Sequence, residues 1–95
     1  MKKRKNRALV LSDALEKESA DWNQMGYAAL AGPAYPIAYE RGTEGDPNSY
    51  QVEVDLLEKN EHYVQVIVCV DDGGIRAFCP LSRILVVHAS AQPAN

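Results

Sequence analysis

The sequence predicts an α+β domain, an N-terminal amphipathic helix packed on an antiparallel meander of four to five strands. Three observations point there. Apolar residues recur at helical spacing between Leu11 and Ala29. From Tyr50 the period becomes two, with Tyr50, Val52, Val54 and Leu56 alternating against Gln51, Glu53 and Asp55. Clusters of turn residues, at 42–49 and 71–74, divide the second half into short segments. A chain of 95 residues supports one core and not two.

Residues 1–7 hold no apolar side chain after Met1, and 89–95 are small and polar, so both read as loose tails around a single domain over 8–88. The helix is expected to start near residue 13. Ser12 or Asp13 can cap it, and Glu16 stands three residues after Asp13 in the capping-box position. Leu15, Trp22, Met25 and Ala29, with Leu11 before them and Ser19 filling a gap, form its core stripe, while Glu16, Lys17, Asp21 and Gln24 face away. Gly32-Pro33 ends it, and Trp22 is its anchor against the sheet.

A short strand is expected over 35–40, confined to an edge by Pro36, which has no N–H for a ladder. Strands over 50–57 and 63–70 follow, joined by a loop at Lys59-Asn60-Glu61 that sets Leu56 opposite Val64 and Val54 opposite Val66. Asp71-Asp72-Gly73-Gly74 reads as a tight hairpin pairing Val70 with Ile75, Val68 with Ala77 and Val66 with Cys79. Pro80 to Arg83 then turns the chain into a last strand, Ile84 to His88. In this register Val52, Val54, Val66, Val68 and Ile75 go to the helix, because a slip of one residue would place Gln65 among the valines. Cys69 and Cys79 fall on opposite faces and cannot form a disulfide, which suits a cytoplasmic protein with reduced thiols. A helix followed by a meander is similar in outline to cystatin-like folds. The likeness is of architecture alone, and no motif assigns the chain to a family.

Charge limits the partners. From Ala8 onward five Lys/Arg stand against thirteen Asp/Glu, whereas Lys2, Lys3, Arg4, Lys5 and Arg7 crowd the start. An acidic body repels phosphate and anionic lipid, so nucleic acid would be held only weakly, through the basic arm. No apolar run approaches the length that crosses a bilayer.

The outer sheet face carries the most information, because it is not cleanly polar. Ile67 is expected opposite Phe78 and Leu57 near Tyr63, with Arg76 beside them, the makings of an interface with a second copy or another protein. Glu53 and Asp55, two apart on one strand and about 7 Å from each other, have the spacing of an acid/base pair but also of any solvated strand offset by Arg76. Trp22, Tyr35, Tyr39 and Tyr50 could line a ligand pocket with those carboxylates. His62 and His88 lack partners at metal-ligand spacing, so no metal or cofactor is expected, and Cys69 reads as a packed apolar residue rather than a nucleophile. The expectation is therefore a non-enzymatic protein–protein interaction domain, a homodimer through its outer sheet face. A small-ligand binder or minor enzyme with a pocket between helix and sheet is the first alternative, and an accessory nucleic-acid protein acting through its basic arm the second.

Overall fold

The structure, a computed structural model, describes residues 7–43, 45–72 and 81–89, with side chains from Leu9 onward. Helix α1 spans Arg7–Gln24 and a short α2 spans Tyr27–Ala31; strands β1 (Ile37–Arg41), β2 (Tyr50–Lys59), β3 (Tyr63–Asp71) and β4 (Leu81–His88) follow. The four strands form one antiparallel sheet in the order β1-β2-β3-β4, so the expected α+β arrangement of helix and meander holds. α1 lies over β3 and β4 on one face, and α2 packs on β3. Among the described residues no helix is long and apolar enough to cross a membrane.

α1 begins well before the expected cap, and Ser12 and Asp13 lie exposed within its second turn. Val10, Leu11, Ala14 and Leu15 already form a buried stripe at this end. Packing against the sheet therefore overrides the local capping signal. The helix is also not continuous to Gly32. Gly26 takes φ +87°, a left-handed conformation that side chains with a Cβ rarely adopt, and α2 starts afresh after it. The break turns the stripe: Met25 and Ala29, expected inward, face solvent, and Leu30 is fully buried in their place.

β3 is the centre of the sheet, paired on both edges, and places Val64, Val66, Val68 and Val70 toward the helices, all fully buried. Val52 and Val54 of β2 and Leu85 and Val87 of β4 flank them on the same face. β-branched side chains suit a pleated, covered surface, and each such burial stabilises by about 1.5–3 kcal/mol.

The register differs from the expected one in two places. Val54 lies opposite Val68 and Leu56 opposite Val66, two residues along from the expected partners, and a bulge between Leu56 and Glu58 shifts the register by one residue within the ladder. The hairpin closes instead around Asn60, whose side-chain oxygen accepts from the backbone N–H groups of His62 and Tyr63 at 2.8 and 3.0 Å. A shift of two leaves every side chain on its intended face. The second difference concerns the other edge of β3. It is occupied by β4, with Val70 opposite Leu81, Val68 opposite Arg83 and Val66 opposite Leu85, so the expected ladder from Val66–Val70 to 75–79 is displaced. Leu81 to Arg83, expected as a turn, are strand, because this pairing brings Leu85 and Val87 onto the core face. Ile75, Ala77 and Cys79 lie outside the described residues. β1 starts after Pro36 and is an edge strand as expected.

Candidate functional site

Leu11, Leu15, Glu18 and Trp22 share one stripe of α1, so a carboxylate sits among the apolar anchors of the helix. Glu18 is 0% exposed. A buried carboxylate is costly unless its oxygens are bonded, and here every direction is met. Tyr39 donates its hydroxyl to Oε1 at 2.7 Å, and Tyr50 donates to Oε2 at 2.9 Å. Arg41 donates from Nε to Oε2 at 2.9 Å and from Nη2 to Oε1 at 3.4 Å. The Trp22 indole N–H donates to the Tyr39 oxygen at 2.8 Å, and the Arg41 guanidinium lies 4.9 Å from the centre of the Tyr39 ring.

Burial pushes the Glu18 carboxyl up, but the hydrogen bonds from Arg41, Tyr39 and Tyr50, with the charge of Arg41, outweigh it and hold the group below the usual carboxylate range. Tyr50 is pushed up to about 12 by burial first and by its bond to Glu18 second. Tyr39 is raised chiefly by burial, against the opposing bond from Trp22. With two donors on each oxygen, Glu18 has no lone pair left to take a proton from a substrate, so its chemistry is that of a clamp and not a general base. It ties α1 to β1 and β2 near the surface, where the Arg41 side chain is still 47% exposed.

Of the expected pocket residues, Trp22, Tyr39 and Tyr50 therefore do meet, around an acid that was not among the expected residues: Glu18 stands three residues after Leu15 and four before Trp22, and that spacing is the signal that could have found it. An open cleft of about 460 Å³, lined in part by Trp22, Met25, Ile37, Tyr39 and Arg41, borders the cluster. Tyr35 is elsewhere, donating to the Leu30 carbonyl at the end of α2 at 2.6 Å. Glu53 and Asp55 point from the opposite face of the sheet and belong to a different surface.

That outer face is acidic. It carries Glu40 of β1, Glu53, Asp55 and Glu58 of β2 and Asp71 of β3, and among the described strand residues no Lys or Arg shares it. An apolar strip runs along its β4 side: Ile67 is paired with Ile84, and Val86 stands one step on, with Ile84 53% and Val86 45% exposed. Leu57 is exposed at the bulge. Tyr63 donates to Glu58 at 2.8 Å and meets His88 edge-on, ring centres 6.1 Å apart. Phe78 and Arg76 lie outside the described residues, and the neighbour that the sheet gives Ile67 is Ile84. Cys69 sits between Glu53 and Ser82, its thiol pushed up by burial first and then by the charges of Glu53, Asp55 and Asp71. Its expected non-partner Cys79 is outside the described residues.

His62 is exposed beside Glu61, 3.6 Å away. Among the described residues no three His, Cys, Asp or Glu side chains gather as a metal site would require. Lys2, Lys3, Arg4 and Lys5 lie outside the described residues, and Arg7 opens α1. Comparison with models of known protein families, with curated proteins and with solved structures finds no match for this chain.

Proposed function

We propose that this chain is a protein–protein interaction domain that works without catalysis, as a homodimer that offers an acidic sheet face to a basic partner. The observation that carries the reading is the composition of that face: five carboxylates on β1, β2 and β3, no described Lys or Arg among them, and at the β4 side an apolar strip of half-buried Ile67 with exposed Ile84 and Val86. Like charges kept together on one face repel one another, and a cationic partner relieves that repulsion while the apolar strip supplies contact area. The occupied oxygens of Glu18 speak for the same reading, since this carboxylate, the one that is buried among the described residues, serves the fold. The free thiol of Cys69 supports a cytoplasmic setting for this work.

A synthetic peptide of alternating lysine and leucine is the probe. Calorimetry should show binding that weakens at least tenfold on adding ~0.5 M salt and in a Glu53→Lys, Asp55→Lys double variant. Heats that are the same for wild type and the double variant reject the acidic face as a docking surface.

A further inference from the structure

The two edges of the sheet are protected unequally. β1 is five residues long, follows Pro36 and carries Glu40 and Arg41. Shortness, charge and proline are the features that keep an edge from pairing with another chain. β4 is eight residues long, has no proline, and holds the unbroken apolar run Ile84, Leu85, Val86, Val87. Among the described residues β3 alone pairs with it. On the helix side of this edge runs a groove of about 390 Å³, walled by Glu16, Ser19, Ala20 and Asn23 of α1 and by residues 83–86 of β4. Ser19, 3% exposed, lines this groove, and among the described residues its hydroxyl has no hydrogen-bond partner.

We propose that β4 pairs antiparallel with β4 of a second copy, joining two four-stranded sheets edge to edge; this rests on the homodimer reading above and states how the copies meet. Charge selects a second copy as the occupant. Stacking two outer faces would set five carboxylates against five, whereas β4 carries no acid, only Arg83 and His88. Arg83 faces the helix side opposite Val68, shares the groove with Glu16, and neither makes an ion pair among the described residues. A two-fold axis normal to the sheet brings the Arg83 of each copy toward the Glu16 wall of the other, the self-complementary contact that such an axis demands. Directly opposed residues share a face, so the same pairing sets Ile84 of one copy near Val86 of the other and carries the apolar strip across the junction.

Light scattering and amide hydrogen exchange on the full chain test this together. At ~50 µM the mass should be about 21 kDa, twice the 10.5 kDa chain. On going from ~1 µM to ~50 µM, about half the amides of 81–88 should slow at least tenfold while those of β1 do not change. Val86→Lys should give a monomer with an unaltered circular dichroism spectrum, and Glu53→Lys should leave the dimer intact. A dimer whose 81–88 exchange is independent of concentration, or one lost on Glu53→Lys and kept on Val86→Lys, overturns edge pairing and leaves the homodimer standing. A monomer at ~50 µM overturns both.

Discussion

Arg41 on the edge strand β1 donates from Nε to Oε2 of Glu18 across 2.9 Å, joining the outermost strand to the middle of a buried helix face. Glu18→Ala removes the acceptor for Arg41, Tyr39 and Tyr50 at once. Because Arg41 is half exposed and can turn to water, the loss should sit at the lower end for a broken buried pair, about 2–4 kcal/mol. Urea denaturation measures it, and a loss below ~0.5 kcal/mol would contradict the clamp.

Acid should release the same clamp. The Glu18 carboxyl lies below its ordinary value of 4.5 in the folded chain, so the unfolded chain takes up the proton first. Its stabilisation is complete above about pH 4.5 and is lost as pH falls through the folded value. Stability of the wild type should drop more steeply below that pH than stability of Glu18→Gln. Parallel profiles would show that Glu18 does not contribute.

Alkali acts on the other partner. Tyr50 titrates at about 12 against an ordinary 10.0, so its contribution is complete below pH 10 and fades as pH rises from 10 through 12. A tyrosinate absorbance titration should show a late-ionising component near pH 12 that is lost in Tyr50→Phe, beside other phenols also raised above their ordinary value.

At Cys69 the neighbouring carboxylates should slow thiol chemistry. In a Cys79→Ser background, reaction with a disulfide reagent at neutral pH is expected to be slower than that of free cysteine, and Glu53→Gln with Asp55→Asn should speed it several-fold, about 2–5 times. Burial is the larger cause of the shift, so the double variant restores only part of the rate.

Gly42 tests the loop before β2. Its φ is +97°, and an added Cβ would stand 2.8 Å from the Ser49 Cβ, whereas Gly45, at φ +85°, has nothing within 4 Å. Gly42→Ala should cost about 2–3 kcal/mol and Gly45→Ala about 1, both read by thermal unfolding. Equal losses would mean that the contact with Ser49 is relieved without cost.

The faces of the sheet were legible in the residues, because alternation with period two survives a register shift of two. Val52, Val54, Val66 and Val68 are inward for that reason, although their partners across the strands are not those expected. The path from β3 to β4 was not legible. Asp71-Asp72-Gly73-Gly74 favours a tight turn locally, yet Ile84 to His88 offers Leu85 and Val87 to the core, and that burial decides which segment takes the edge. The helix followed the same rule at its start, where apolar contact through Val10 and Leu11 outweighed a capping box. Glu18 was not among the expected residues; its spacing from Leu15 and Trp22 sets it on the core stripe, but its partners depend on Tyr39 and Tyr50 arriving from two separate strands, which no local pattern encodes.

α1 rests on β3 and β4, so the earliest helix of the chain is covered by its latest strands. During synthesis the stripe of Leu11, Leu15 and Trp22 leaves the ribosome long before its cover exists. Until Val87 has emerged that stripe has nothing to pack on, so α1 gains its tertiary support only when the last described strand is made.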